Sequence, residues 1–268
     1  MAHYAVRESP PLRGEIPIST SKNAVLPIMC GALLTGEDAR IERVPELTDV
    51  KTLCALLASC GCSVKKENDA LILNAAALQN PQDEEDVRKM RASVLVLGPL
   101  LARLGEARIP LPGGCAIGQR PIDLHRQALE QMGVCFEERD GVVTAKVSRL
   151  KGAVIGLPFP SVGATENVVA AAVLAEGETV LEGAAREPEI GELCRFLNAC
   201  GAKIEGAGTG TIRIRGVKRL HGCTWRVGGD RIVAGTYLIA AAACGGEISL
   251  RGADAGQLSS VCGILAKT

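Results

Sequence analysis

One repeat governs what this chain can fold into. Four segments share a pattern: an Ala/Leu-rich helix, a glycine, a short strand, a second helix, a glycine and a strand. The first helices run through Ala24–Leu34, Val94–Leu104, Val168–Glu176 and Ile232–Cys244. The glycines after them are Gly36, Gly105, Gly177 and Gly246, spaced by 69, 72 and 69 residues. Each is predicted to end its helix in the left-handed conformation that glycine adopts without steric cost. The strands that follow are centred on Ala39–Ile41, Ala107–Ile109, Thr179–Leu181 and Ile248–Leu250. Gly61, Gly133 and Gly201 are predicted to close the second helices, and Val64–Leu73 and Val134–Val147 read as hairpins. Self-similarity at a fixed period means that equivalent units bury one another. Alternating helices and strands place the chain in the α/β class.

Three units are complete and the fourth is not. Its closing glycine would fall at about position 270 by the same period, and the chain stops at Thr268. A fragment of a longer protein is therefore expected. Residues 21–228 are expected to form one complete domain of three repeats. Residues 1–20 and 229–268 are expected to form part of a second, with Met1–Thr20 supplying a strand pair that pairs with the fourth unit.

With hydrophobic residues at 47% and charged residues at 22%, the composition is that of a globular protein rather than a disordered one. Aromatics are only 2%, so the core must be built from Ala, Val, Leu and Ile. Thirty basic residues balance thirty acidic ones, which argues against a general nucleic-acid or anionic-membrane partner. No apolar run reaches the roughly 18 residues of a membrane span, and the N-terminus lacks a signal-peptide pattern. A cytoplasmic protein is expected. Eleven cysteines, among them Cys30, Cys54, Cys194 and Cys244 in apolar helical stretches, read as small buried hydrophobes in a reducing compartment. Cys60-Gly61-Cys62 is too tight for a zinc knuckle and has no matching second pair.

Chemistry concentrates in a few places. The stretch Leu111 to Pro121 holds Gly113, Gly114, Cys115, Gly118 and Arg120. Such a loop brings its backbone close to a ligand, and Arg120 can lower the Cys115 thiol pKa or hold an anion. The residues alone leave a second reading open, an ordinary Gly-rich turn with an incidental cysteine. Counting back 14 residues from each repeat glycine gives Lys22, Arg91, Gly163 and Ile232, with Arg231 one residue earlier. A cation at a helix N-terminus is unfavourable unless an anion binds there. Three at corresponding places point to phosphate or carboxylate ligands, against the alternative of solvated surface charges. Ser161 opens the third helix, either as a plain N-cap or as a phosphate ligand. Arg186–Ile190 is a charged loop whose glutamates suit the dipole of the next helix. His125 is a possible polar site residue, whereas His3 and His221 have no supporting context.

At Ser21–Ala24, Met90–Ser93, Pro112–Cys115, Arg120–His125, Ser161–Thr165, Ala185–Ile190 and Asp230–Ile232 the sequence resembles the UDP-N-acetylglucosamine enolpyruvyl transferase family (1-carboxyvinyltransferases). The segments come in the family's order over essentially the whole chain. The related shikimate-pathway enzyme shares the fold but is not expected to carry the Cys115 loop. The resemblance implies an inside-out α/β barrel of two domains, each of three repeated units. It implies transfer of enolpyruvyl from phosphoenolpyruvate to the 3′-hydroxyl of UDP-N-acetylglucosamine, the first committed step of peptidoglycan synthesis, by a monomer without metal or organic cofactor.

By position, the resemblance gives Lys22, Asn23 and Arg120 to phosphoenolpyruvate. It gives Arg91, Arg120, Pro121, Ile122, Asp123, Leu124, Ser161, Val162 and Gly163 to the sugar nucleotide. Asp230 and Arg231 would lie at the hinge and cleft between domains. Cys115 would be the general acid toward the enol carbon and the target of fosfomycin. Phe159-Pro160 departs from the polar or basic residue that some relatives carry before Ser161. The family is also longer, and the remaining part supplies the catalytic base and further arginines. The chain by itself is expected to be inactive or to bind only the sugar nucleotide.

Overall fold

The computed structural model describes residues 5, 10–81, 93–110, 122–139 and 141–267. Tertiary contacts divide the chain into two compact units, 22–226 and 1–21 with 227–268. A strand β1 (Leu12–Pro17) comes first. The first repeat then follows as α1 (Lys22–Gly31), a 3-10 turn Ala32–Leu34, β2 (Ala39–Glu42), α2 (Thr48–Ser59), β3 (Ser63–Glu67) and β4 (Ala70–Asn74). The second contributes α3 (Leu97–Leu104), β5 (Glu106–Pro110), α4 (Asp123–Gln131), β6 (Cys135–Arg139) and β7 (Val142–Lys146). The third has β8 (Val154–Gly156), α5 (Val162–Ala172), β9 (Glu178–Glu182), α6 (Pro188–Ala199), β10 (Lys203–Glu205) and β11 (Thr211–Arg215). The chain ends with β12 (Thr224–Arg226), α7 (Arg231–Cys244), β13 (Gly246–Arg251) and α8 (Ser259–Leu265).

Within unit 22–226 the repeats form separate sheets with one internal order. Each places the strand after its first helix beside the second strand of its hairpin: β2-β4-β3, β5-β7-β6 and β9-β11-β10. A further strand joins two of them in parallel, β12 beside β2 and β8 beside β9. Among the described residues no sheet closes into a barrel. Helices α1 and α5 lie inside, whereas α2 and α4 keep an exposed face. Residues 24–31 of α1 and 164–172 of α5 are all buried, while β9 and β11 alternate buried with partly or fully exposed positions. A helix apolar all round needs burial all round, and a half-covered antiparallel sheet alternates.

Close helix contact depends on small residues. A Cβ at Gly98 in α3 would strike the Asn167 carbonyl of α5. At the same place the Gly98 amide donates to Asn167 Oδ1 (2.8 Å). Two of the few aromatics make one joint: Phe196 packs edge-on against Trp225 at 6.1 Å between ring centroids, and α1 approaches Phe196 closely at Gly31.

The glycine expectations hold at most positions. Gly105 caps α3 at φ 70°, and Gly61, Gly133 and Gly201, just past α2, α4 and α6, have positive φ. Gly177 has φ 90° but caps no helix, because α5 stops at Ala172 with Val173 as its cap. Gly36 is an exception, because it is not in the left-handed region. There the chain leaves the 3-10 turn through extended Thr35, whose Oγ1 accepts from the Glu37 amide (3.0 Å) and takes over the bend. After α7 the cap is Gly245, one residue before the expected Gly246.

In the other unit, β1 pairs in parallel with β13 from Leu12↔Gly246 to Pro17↔Arg251. The expected strand pair is one strand among the described residues. Ile18, Ala234 and Leu258 form the small core, with Ile16, Val233, Leu238 and Leu250 against it. Of α7 only Ala234 and Gly235 are buried. Cys244, expected to be buried, is exposed for that reason. Cys30 and Cys194 are buried and Cys54 is half-buried.

Gly105→Ala must hold a Cβ at positive φ and 2.8 Å from the Val147 carbonyl, so it is expected to lower stability by at least about 1–2 kcal/mol. Gly36→Ala meets nothing closer than 3.9 Å and should stay within about 0.5 kcal/mol of the parent. Urea midpoints of both variants check the contrast.

Candidate functional site: two helix starts over a buried histidine

Two of the segments singled out in the sequence meet. Asp123, Leu124 and His125 form the first turn of α4, after Ile122 as N-cap. Ser161, Val162 and Gly163 form the start of α5. His125 lies directly beneath Gly163, where an added Cβ would stand 2.8 Å from His125 Nε2. Gly163 is therefore the residue that lets the two helix starts close on each other. Ser161 is the N-cap, its Oγ accepting from the Ala164 amide at 3.4 Å. Asp123 and Val162 are exposed, and Ile122, Leu124, Ser161 and Gly163 are half-buried. The surface formed is thus the N-terminal turns of two helices, where backbone N–H groups and the helix dipoles favour an anion.

His125 is only 8% exposed, and among the described residues neither ring nitrogen has a hydrogen-bond partner. Burial pushes its pKa down to about 4, so the ring is neutral at neutral pH. It supplies a polar floor without a charge.

Behind the α5 turn lies a buried polar layer that the sequence reading did not pick out. Thr165 Oγ1 accepts from the Ala185 amide (3.1 Å), tying the Ala185–Glu187 loop to α5. Asn167 Nδ2 donates to the Gly163 carbonyl (3.0 Å) while its Oδ1 holds Gly98. Glu166 is buried, and its pKa rises to about 8 through burial first, then repulsion from Glu189 and Glu187. Glu189 and Glu192, both in α6, are buried as well. The available signal was Glu166-Asn167, an adjacent polar pair inside the apolar run Val162–Ala172.

Lys22 is the first residue of α1. Its Nζ pairs with Asp49 Oδ2 at 2.9 Å, and Asp49 lies in the first turn of α2. The cation at this helix start thus has a carboxylate from the protein itself. Asn23 beside it is exposed. In the other unit, Asp230 caps α7 by accepting from the amides of Ile232 (2.8 Å) and Val233 (3.1 Å), and Arg231 is the first residue of that helix. Arg91, Cys115, Arg120 and Pro121 lie outside the described residues. Phe159, ahead of Ser161, is exposed.

Residues 6–267 match the family model of EPSP synthase (3-phosphoshikimate 1-carboxyvinyltransferase). The chain belongs to the EPSP synthase family. Its sequence is also similar to a protein of Nitratidesulfovibrio vulgaris (strain DP4) named UDP-N-acetylglucosamine 1-carboxyvinyltransferase, 53% identical over 251 residues. That alignment covers 94% of this chain and 60% of the relative, so the chain spans about three fifths of the relative's length. Among solved structures, the enolpyruvyl transferase NikO from Streptomyces tendae matches with a TM-score of 0.75 at 22% identity, over 87% of this chain and 56% of that one. EPSP synthase from Acinetobacter baumannii matches with a TM-score of 0.78 at 19% identity, over 97% and 61%. The fold is therefore that of the enolpyruvyl transferases.

Two titrations follow from this family member's buried groups. His125 stays neutral in the folded chain until pH falls to about 4, while in the unfolded chain it protonates near 6.5. Stability from this group is lost as pH falls through that window, by up to about 3 kcal/mol. Glu166 keeps its proton up to about pH 8 when folded and releases it near 4.3 when unfolded. Stability is lost there as pH rises through the window. Urea unfolding across pH should show a flatter acid limb for His125→Gln and a flatter alkaline limb for Glu166→Gln.

Proposed function

We propose that this chain is the greater part of a transferase that moves the enolpyruvyl group of phosphoenolpyruvate onto the 3′-hydroxyl of UDP-N-acetylglucosamine. The observation that carries the reading is the 53% identity, over 94% of the chain, to a protein named for that activity. The paired helix starts support it, because a nucleotide diphosphate is the kind of anion that such amides and dipoles hold.

In this reading Ile122–Leu124 and Ser161–Gly163 flank the sugar nucleotide, with Arg91, Arg120 and Pro121 completing its site. Gly163 gives backbone access, and neutral His125 beneath it offers a hydrogen bond without cancelling the cations. Lys22 exchanges part of its ion pair with Asp49 for the phosphate or carboxylate of phosphoenolpyruvate, beside Asn23 and Arg120. Cys115 delivers a proton to the methylene carbon. The carbon that bears the phosphate then becomes cationic, and the sugar hydroxyl attacks it while a base takes the hydroxyl proton. Phosphate then leaves as the new methyl group gives up a proton, which restores the enol double bond. Cations around the phosphate stabilise the charge that leaves with it. The expected setting is a cytoplasmic monomer serving peptidoglycan synthesis.

A second reading is that residues 1–268 by themselves hold the sugar nucleotide without turnover. The share of the relative's length that the chain spans, 60%, favours it.

Intact-mass spectrometry after fosfomycin treatment tests the assignment. A single adduct, increased by UDP-N-acetylglucosamine and absent from Cys115→Ser, is the expected result. A folded chain with no selective adduct, or with the same adduct in Cys115→Ser, would count against it. Phosphate release with both substrates present separates the two readings.

A further inference from the structure

Cys200 and Cys223 stand apart from the other cysteines. Cys200 caps the C-terminal end of α6 and is 1% exposed. Cys223 precedes β12 and is half-buried. Their sulfurs lie 3.1 Å apart across 23 residues of sequence. A disulfide needs sulfurs at about 2.05 Å, so closing the bond asks each to move by roughly half an ångström.

The backbones on both sides are fixed independently of that contact. The Cys200 amide donates to the carbonyls of Phe196 (3.1 Å) and Leu197 (3.0 Å), and its carbonyl accepts from the His221 amide (3.0 Å). The Cys223 carbonyl accepts from the Arg40 amide of β2 (2.8 Å). The Gly222 amide donates to Glu37 Oε2 (3.2 Å). Two anchored strands of chain thus present two thiols to each other, and little ordering is left for bond formation to impose.

The surroundings also divide the labour between them. The His221 ring packs on Gly201, where an added Cβ would stand 3.1 Å from Nε2, and its Nδ1 is 3.0 Å from the Gly222 carbonyl. The Cys200 hydrogen bond, with a smaller contribution from His221, draws the Cys223 thiol toward ionisation. The same hydrogen bond and burial hold Cys200 protonated. Elsewhere burial, as the largest cause, raises Cys30, Cys60 and Cys194 above their ordinary range, and thiols kept protonated are poor nucleophiles.

We propose that Cys200 and Cys223 are a redox modification site at which a hydroperoxide drives formation of a reversible disulfide. The Cys223 thiolate attacks the peroxide O–O bond, taking one oxygen to become a sulfenic acid. The other oxygen leaves as hydroxide or alkoxide and is protonated. The Cys200 sulfur then displaces hydroxide from the sulfenic sulfur, its own proton completing a water molecule. Two thiols are oxidised by two electrons and one peroxide is reduced. The product joins the end of α6, in the third repeat, to the strand that edges the first repeat's sheet, β12 beside β2. A dithiol reverses it by exchange.

The experiment is peptide mapping of the fully reduced chain after hydrogen peroxide in molar excess, with alkylation before non-reducing digestion. The expected product is a peptide pair joined through Cys200 and Cys223, lighter by two hydrogens and separated by dithiothreitol. Cys200→Ser should leave a dimedone-reactive sulfenic acid at Cys223, and Cys223→Ser should leave Cys200 as a thiol. Cys200 and Cys223 both recovered as alkylated thiols from a chain folded by circular dichroism would overturn the proposal. So would joining of either one to a different cysteine.

Discussion

Everything in residues 22–226 depends on burying helices that have no polar face. Residues 24–31 of α1 and 164–172 of α5 leave nothing for solvent, so sheets must enclose them. With so few aromatics, the enclosed volume is filled by small aliphatic side chains, and the helices approach closely. Gly31 and Gly98 mark where that approach leaves no room for a Cβ. Inside such packing an unpaired buried amide costs about 1–3 kcal/mol. Asn167 avoids that cost through its hydrogen bonds at Gly98 and at Gly163.

That constraint links the fold to the site. Asn167 belongs to the core, yet its Nδ2 holds the carbonyl of Gly163, which covers His125. Thr165 on the same helix holds the loop that begins at Ala185. The first turn of α5 is thus fastened from behind by residues buried with the helix. Surface ion pairs such as Lys22–Asp49, with both side chains about half exposed, add little stability. In the proposed reading, the Lys22–Asp49 pair holds a cation in place until a stronger anion arrives.

Much of the fold was legible because glycine leaves a spaced signature. The repeat was found from Gly36, Gly105, Gly177 and Gly246, and three common sheet orders follow from it. The misplacements have local causes. Thr35 turns the chain where Gly36 was expected to, and Gly245 stops α7 first. Of the site, Ser161–Gly163 was legible as a helix start and Ile122–His125 only through the family resemblance, but not that they touch, since tertiary contact carries no local signal. Glu166-Asn167 was legible as a polar pair in an apolar run, but its burial was not, because that depends on tertiary packing. The Cys200–Cys223 contact was hidden for the same reason, as two ordinary cysteines brought together by packing.

The central claim is that the paired starts of α4 and α5 hold a sugar nucleotide. Hydrogen–deuterium exchange with and without UDP-N-acetylglucosamine tests it most directly. Slower exchange confined to the amides of 122–126 and 161–165, with the β10–β11 hairpin unchanged, is the expected result. Unchanged exchange in both helix starts at saturating nucleotide, or protection only elsewhere, would contradict it.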